Sequence, residues 1–254
     1  MSTGHLVLVA AAGLFAGAIN GVVGAGTLIT FPLLVALGIP PVTANGTNTT
    51  GLFPGAISSA GVYRKTLRAD AALVGAMALA AALAAAGGAL LVLALPAHVF
   101  TEVVPVLILG AVVLVVLQPL LSRAIQRWIG EHRADAFPHR GPSVVTAAGV
   151  GVYGGYFGGG QGIVLMGLLP LVYAPDLQQS NGVKNVLAAA ANATAAVVFI
   201  IFGHIIWSVA IVLAVSSIIG GWFGGRLATR LPTIVYRITI AVVGVVAAAV
   251  MLSK

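Results

Sequence analysis

The residue in this sequence with the clearest capacity for chemistry is a lysine in apolar surroundings. Lys184 lies in a run from Leu177 to Phe202 that holds no other ionisable residue. An ionisable residue within a membrane segment indicates a functional site, and a buried positive charge favours an anionic ligand. The structural alternative is a lysine that extends to the membrane interface or pairs with Asp176, eight residues earlier.

Two glycine clusters lie beside polar residues in two related stretches of the chain. Residues 17–27 are GAINGVVGAGT and residues 151–161 are GVYGGYFGGGQ. The offset between the stretches is 134 residues at the glycines and 136 at the Asn-Gly pairs that follow, Asn45-Gly46 and Asn181-Gly182. A duplicated, glycine-broken segment in a membrane chain points to the central site of a transporter.

The glycine clusters predict helix breaks that could bind an anion. The helices beginning at Thr27 and Gln161 would direct free N–H groups and the positive dipole end toward each break. The alternative is close helix packing, since small residues let transmembrane helices approach. The candidate substrate-binding residues are Asn20, Gly24, Gly26, Thr27, Asn45, Thr47, Asn48, Gly158, Gly159, Gly160, Gln161, Asn181, Lys184 and Asn185.

Composition indicates a membrane protein. Hydrophobic residues make up 60% of the chain and charged residues 7%, whereas soluble domains carry roughly 25% charged residues. The net charge of +7 comes from Lys and Arg at the ends of apolar segments, so we expect a lipid bilayer and no nucleic acid as partner. No cysteine, nucleophile–base pair or His/Asp cluster occurs, so neither an enzyme nor a metal or cofactor site is predicted. No Lys or Arg precedes the first apolar run, so no cleavable signal peptide is predicted.

The predicted fold is an all-α polytopic membrane protein with two homologous repeats. Each repeat holds about four transmembrane helices plus a glycine-broken short or re-entrant helix. The repeats are residues 1–122 and 143–254, separated by a basic linker at 123–142. Helices are expected at about 6–22, 27–37, 43–63, 70–95, 99–122, 143–157, 161–174, 178–202, 206–227 and 232–252.

Two topologies fit this pattern. If the first two helices of each repeat together form one broken span, the chain has eight spans, the repeats are parallel, and the basic loops divide between the two faces. If those two helices instead form a re-entrant hairpin, the repeats are inverted. The inverted arrangement gathers most of the basic residues on one side, so the positive-inside rule favours it. It places the N-terminus outside and the linker in the cytoplasm, in the plasma (inner) membrane. The residues gathered are Arg64, Lys65, Arg68, Arg123, Arg127, Arg133, Arg140, Arg226, Arg230 and Arg237.

The chain resembles the TauE/SafE family of sulfite exporters, also called DUF81 permeases. The resemblance rests on GVVGAGTLITFPLL with NGTNTTGLFPGAISSAGVYRK, on YGGYFGGGQGIVLMGLL with SNGVKNVLAAAANATAAVVF, and on GGWFGGR at 220–226. It implies transport of small sulfur-containing or organic anions, such as sulfite, sulfoacetate or sulfolactate. The chain departs from the family pattern at Ala25, within an otherwise all-glycine run, and at Pro32, which Met166 matches in the second copy.

The predicted function is a permease that moves a small anion by alternating access, with H⁺ or Na⁺ as a possible coupling ion. The alternatives are an uncoupled anion channel and a non-transporting membrane assembly subunit. Substrate identity, direction of transport and oligomeric state do not follow from the sequence.

Overall fold

The computed structural model describes residues 2–62, 70–132, 139–173 and 176–227, together with Ile238, Val242 and Val245. Within these ranges the chain is helical and forms no strand. The helices are α1 (Thr3–Val22), α2 (Thr27–Ala36), α3 (Pro41–Val62), α4 (Ala71–Ala94), α5 (Ala97–His132), α6 (Arg140–Tyr156), α7 (Gln161–Val172), α8 (Leu177–Phe202) and α9 (Trp207–Leu227).

Five of these helices are long and apolar enough to cross a membrane, namely α1, α4, α5, α8 and α9. Two shorter apolar helices, α2 and α7, have 10 and 12 residues. At a rise of about 1.5 Å per residue they cover only about half of a hydrocarbon core. The prediction of an all-helical, multi-pass membrane protein is therefore confirmed.

Helix α5 is longer than the sequence indicated. It was expected to end near residue 122, but it continues through His132 into the stretch assigned to the polar linker. Polar residues such as Arg123 and Gln126 favour helix as long as no proline or glycine cap intervenes. Of the last predicted helix, 232–252, the structure describes Ile238, Val242 and Val245, each in helical conformation. Six of the basic residues used to weigh topology lie outside the described ranges: Arg64, Lys65, Arg68, Arg133, Arg230 and Arg237.

Both glycine clusters break the helix in the same way. At the first break, the amides of Val23 and Gly24 both donate to the Ile19 carbonyl; at the second, those of Phe157 and Gly158 both donate to the Tyr153 carbonyl. The chain then turns through left-handed backbone, with φ of 80° at Gly24 and 72° at Gly158. Side chains with a Cβ rarely adopt this conformation, so glycine is required at both positions.

After each break the short helix turns back along the preceding one. The Gly26 amide donates to Asn20 Oδ1 on α1 at 2.6 Å. At the far end of α7, the carbonyl of Val172 accepts from the His139 amide at 2.9 Å and from Ser143 Oγ at 2.9 Å. The end of α7 therefore meets the start of α6, and the two helices form a hairpin.

The long helices pack into two groups, each of which combines helices from the N-terminal and the C-terminal half of the chain. In the α1–α3–α9 group, a Cβ added at Gly17 of α1 would lie 2.4 Å from the Ser217 carbonyl oxygen of α9. In the α4–α6–α8 group, a Cβ added at Gly151 of α6 would lie 2.5 Å from the Ala81 carbonyl oxygen of α4. Helices α3 and α8 pack together where the groups meet. Helix α1 therefore packs against α9, and α6 packs against α4.

Candidate functional site

A small cavity lies where the two helix breaks meet. Its volume is about 20 Å³, which is room for about one water molecule. Residues from both halves of the chain contribute to its wall. The lining residues are Asn20, Gly24, Thr27, Ala56, Gly158, Gln161, Gly162, Lys184, Asn185, Ala188 and Asn192.

The two breaks are in direct backbone contact at one side of this cavity. The Gly162 amide donates to the Gly24 carbonyl at 3.1 Å. A Cβ added at Gly24 would lie 2.4 Å from the Gly162 Cα atom, and one at Gly162 would lie 2.5 Å from the Gly24 Cα atom. Only a pair of glycines allows this approach, so the glycine pattern sets how closely the two copies meet.

Lys184 reaches across the cavity from α8 to the end of α1. Its side chain has 0% exposure, and its Nζ atom lies 3.5 Å from the Asn20 carbonyl oxygen and 3.4 Å from that of Val22. These carbonyls belong to the last turn of α1, which has no intrahelical donors for them and carries the negative end of the helix dipole. The ammonium therefore lies at a site of complementary potential.

Neither structural alternative for Lys184 describes this arrangement. The side chain is buried, so it does not extend to the membrane interface. Asp176 caps α8 instead of pairing with the lysine, since its carboxylate accepts from the amides of Gln178 at 3.0 Å and Gln179 at 3.2 Å. Within the described residues, no carboxylate neutralises the ammonium.

Two buried amide side chains beside Lys184 have N–H groups without hydrogen-bond partners in the described part of the chain. Gln161 is 2% exposed, and neither its Nε2 nor its Oε1 atom has a partner. Asn185 is 3% exposed, and its Nδ2 atom has none. Leaving a buried donor unpaired costs about 1–3 kcal/mol, so such groups call for an explanation such as a ligand. Both amide N–H groups and the ammonium could donate to the oxygens of one anion.

Several backbone N–H groups at the breaks already have partners within the protein. The Gly26 amide bonds Asn20 Oδ1, the Gly162 amide bonds the Gly24 carbonyl, and the Ile163 amide bonds the Gly160 carbonyl. The helix N-termini were expected to supply donors for an anion. In this conformation these three amides are committed within the protein, whereas the amide N–H groups of the Gln161 and Asn185 side chains have no partner among the described residues.

Three of the predicted polar residues on α3 do not line the cavity and instead join helices. Asn45 Nδ2 donates to the Tyr156 carbonyl at 3.0 Å, and Thr47 Oγ1 accepts from the Ile206 amide at 3.1 Å. Asn48 accepts from Thr30 Oγ1 at 2.5 Å. These bonds connect α3 with α6, with the segment before α9, and with α2.

The remaining predicted residues lie close to the cavity without lining it. The Gly159 carbonyl accepts from the Tyr153 hydroxyl, Gly160 is the N-cap of α7, and Asn181 lies one turn before Asn185 on α8. The cavity also includes residues absent from the predicted set: Ala56, Gly162, Ala188 and Asn192. The spacing of 185, 188 and 192 places these three on one helix face, a signal that could have identified the last two.

A second polar cluster joins α4, α7 and α8 away from the cavity. The Tyr173 hydroxyl and Gln179 Nε2 both donate to Asp70 Oδ2 at 3.0 Å. Burial, together with the neighbouring Asp70, raises the pKa of Tyr173 to about 12. Among the described residues, no group of three or more His, Cys, Asp or Glu side chains is placed to hold a metal ion.

Comparison with known proteins identifies the class of protein that carries this site. Residues 9–251 match the family described as Sulfite exporter TauE/SafE. A probable membrane transporter protein from Haemophilus influenzae is 25% identical over 222 residues, covering 87% of this chain and 84% of its own length. The probable membrane transporter protein YfcA from Escherichia coli K12 is 29% identical over 218 residues, covering 84% and 77%.

A further relative, the probable membrane transporter protein ORF9 from a Sinorhizobium species, is 29% identical over 219 residues, covering 85% of this chain and 80% of its own length. No solved structure matches the chain. The relatives are named as transporters and not as enzymes, which agrees with the absence of a catalytic constellation in the sequence. Because the family match spans nearly the whole sequence, the chain belongs to the sulfite exporter TauE/SafE family of membrane transporters.

Proposed function

We propose that this protein is a permease that moves a small anion, sulfite or an organosulfonate or related organic acid, across the plasma membrane by alternating access. The observation that carries the proposal is the grouping of Lys184, Gln161 and Asn185 around one cavity. The first supplies positive charge, and the other two supply amide donors that have no partner among the described residues. None of the described residues that line the cavity carries a carboxylate.

The hydrogen bonds of Lys184 support its role as the charge that attracts the anion. An ammonium has three N–H donors, and within the described part of the chain it has two carbonyl acceptors, at 3.4 Å and 3.5 Å. Hydrogen bonds between charged partners are normally about 2.7–2.9 Å long. Anionic oxygens would therefore be stronger acceptors for this ammonium than the carbonyls it now contacts.

The size of the cavity supports a transport cycle with a conformational change. Room for about one water molecule does not admit sulfite, which has four heavy atoms. Asn20 and Ala56 come from the α1–α3–α9 group, and Lys184 and Asn185 from the α4–α6–α8 group. Movement of one group against the other would enlarge the cavity and open it to one side of the membrane.

The packing also supports inverted repeats with the N-terminus outside and the linker in the cytoplasm. Helix α1, the first helix of its copy, packs against α9, the fourth helix of the other copy. Helices α6 and α4 form the same pair with the two copies exchanged. The α6–α7 hairpin brings Val172 back to His139, as a re-entrant segment requires. In the parallel arrangement, these two positions would lie on opposite sides of the membrane.

The proposal is tested by flux into proteoliposomes, preceded by thermal-shift screening against sulfite, sulfoacetate, taurine, acetate and phosphate. For any anion that raises the unfolding midpoint, we expect Lys184→Met to lower flux at least tenfold, about 1.4 kcal/mol of lost interaction. Arg140→Met is the matched control, because it removes an exposed positive charge outside the cavity. Unchanged flux in Lys184→Met would refute the charge role.

The same vesicles distinguish a permease from an uncoupled anion channel. A coupled permease accumulates labelled anion above the external concentration while an ion gradient is imposed, and an ionophore that collapses the gradient abolishes the accumulation. A channel only equilibrates the anion with the membrane potential. Equilibration without accumulation under every imposed gradient would favour the channel.

A further inference from the structure

The C-terminal ends of α1 and α6 have the same backbone hydrogen bonds. They differ in the side chain that contacts their last carbonyl groups. Helix α1 ends at Val22, and its equivalent in the second copy, 134 residues later, is Tyr156 at the end of α6. At α1, the carbonyls of Asn20 and Val22 share the ammonium of Lys184. The same offset makes Gly154 and Tyr156 the equivalent carbonyls of α6.

The end of α6 is contacted by a neutral side chain, where the end of α1 is contacted by a cation. The Tyr156 carbonyl accepts from Asn45 Nδ2, a neutral donor on α3, at 3.0 Å. The Gly158 amide bonds the Tyr153 carbonyl rather than that of Gly154, so the Gly154 carbonyl lacks its usual intrahelical donor. The negative end of the helix dipole is therefore opposed by one neutral amide where α1 has a full positive charge.

Asn45 itself adds a third oxygen at this place. Its side chain has 0% exposure, and its Oδ1 atom has no hydrogen-bond partner within the described residues. Nδ2 and Oδ1 are bonded to the same carbon atom. A half-turn of the amide group therefore places Oδ1, instead of Nδ2, next to the Tyr156 carbonyl oxygen. Two oxygens brought together in this way repel each other unless a cation lies between them.

We propose that a monovalent alkali cation binds at the end of α6, with the carbonyl oxygens of Gly154 and Tyr156 and the Oδ1 atom of Asn45 among its ligands. The cation occupies the place that the Lys184 ammonium takes at the end of α1. Neutral oxygens suit a single charge, because calcium and magnesium sites in proteins depend on carboxylates and an uncompensated double charge is costly to bury. The carbonyl ends of broken helices coordinate such ions in other transporters.

The position of this site gives the cation a mechanical role. Gly154 and Tyr156 belong to the α4–α6–α8 group, whereas Asn45 belongs to the α1–α3–α9 group. A cation held by all three joins the two groups, so its occupancy changes with their separation. A coupling of cation binding to anion movement rests on the proposed function, whereas the binding of the cation itself does not.

The experiment measures the unfolding midpoint of the purified protein in nanodiscs without sulfite or organic anions. Sodium, lithium or potassium chloride replaces choline chloride at constant total chloride. We expect at least one alkali cation to raise the midpoint with a saturable concentration dependence, as ligand binding to the folded state requires. A failure of sulfite flux leaves this result unchanged, and a failure here leaves the proposed permease untouched.

Three variants locate the response. Asn45→Asp places a carboxylate at the site, and we expect it to lower the half-saturating cation concentration at least tenfold. Thr43→Asp puts the same charge on the same helix outside the site, and we expect wild-type half-saturation. Asn48→Lys stands at the position equivalent to Lys184. Its ammonium should occupy the site in place of the alkali cation, so the unfolding midpoint should no longer depend on added cation.

The proposal fails if no alkali cation shifts the wild-type midpoint. It also fails if Asn45→Asp and Thr43→Asp respond alike, because the added charge would then act without a local site. If Asn48→Lys does not fold, the comparison of the two aspartate variants still decides the question.

Discussion

The Nζ atom of Lys184 on α8 lies 3.4 Å from the carbonyl oxygen of Val22, the last residue of α1. The contact joins the two halves of the chain and holds a fully buried positive charge at the negative end of a helix. The distance is long for a hydrogen bond that involves a charged donor. The ammonium is thus held weakly by backbone groups beside two amide donors that have no partner in the described structure.

The first prediction is that Lys184→Met does not lower stability. Desolvation of the ammonium opposes its two long hydrogen bonds, and replacing a buried charge by an apolar side chain of similar volume is often neutral or stabilising. We expect the thermal unfolding midpoint in nanodiscs to stay within a few degrees of wild type or to rise, while anion flux falls. A large drop in the midpoint would instead identify Lys184 as a structural cap of α1.

The second prediction concerns Gln161, whose amide atoms have no partner among the described residues. Gln161→Leu keeps the volume and removes an unpaired polar group, so we expect equal or higher stability together with at least a tenfold loss of anion affinity, about 1.4 kcal/mol. Thermal shift with and without anion measures both effects. Gln178→Leu, at an exposed position on α8, is the control; retained anion affinity in Gln161→Leu would remove Gln161 from the site.

The third prediction tests the contact between the two breaks. Gly162→Ala would place a Cβ 2.5 Å from the Gly24 Cα atom, and such overpacking costs about 1–3 kcal/mol. Gly167→Ala on the same helix meets nothing within 4 Å and should be neutral or slightly stabilising, because alanine favours helix. Unfolding midpoints of the two variants compare these effects, and equal midpoints would show that the breaks do not need close contact.

The fourth prediction is a pH dependence at the Tyr173 cluster. The pKa of Tyr173 is raised to about 12, whereas an unfolded tyrosine ionises near pH 10. The folded state therefore holds this proton more tightly, and the stabilisation present below pH 10 is lost as the pH rises toward 12. We expect the stability difference between wild type and Tyr173→Phe to shrink across that window. A difference that stays constant from pH 9 to 12 would contradict this assignment.

Tyr173→Phe also removes a hydrogen bond to a carboxylate, from the Tyr173 hydroxyl to Asp70 Oδ2. Bonds to charged groups contribute about 1.5–3 kcal/mol. We expect a loss of that size at neutral pH, measured by the unfolding midpoint.

The fifth prediction fixes the topology by labelling. The chain contains no cysteine, so single cysteines can be introduced at exposed positions and probed with a membrane-impermeant maleimide. In inverted repeats, Thr3→Cys and His204→Cys react from outside, whereas Arg140→Cys and Gln178→Cys react only after permeabilisation. Parallel repeats would place residues 140 and 178 on opposite sides of the membrane, and that labelling pattern would reject the inverted arrangement.

The sequence by itself determined the membrane class, the helical content and the places where helices break. These properties depend on local chemistry. Apolar runs of about 20 residues set the spans, and the backbone conformation at Gly24 and Gly158 requires residues without a Cβ. The end of α5 was mistaken because charge and polarity alone do not stop a helix.

Only the tertiary structure decided which polar residues face the cavity. Asn45 and Asn185 are the same residue type near the starts of equivalent helices, yet one bonds the Tyr156 carbonyl and the other has an Nδ2 atom without a partner in the described chain. The partners of Lys184 lie more than 160 positions earlier in the chain. Such pairings depend on how the two copies pack across each other, which no local pattern of residues encodes.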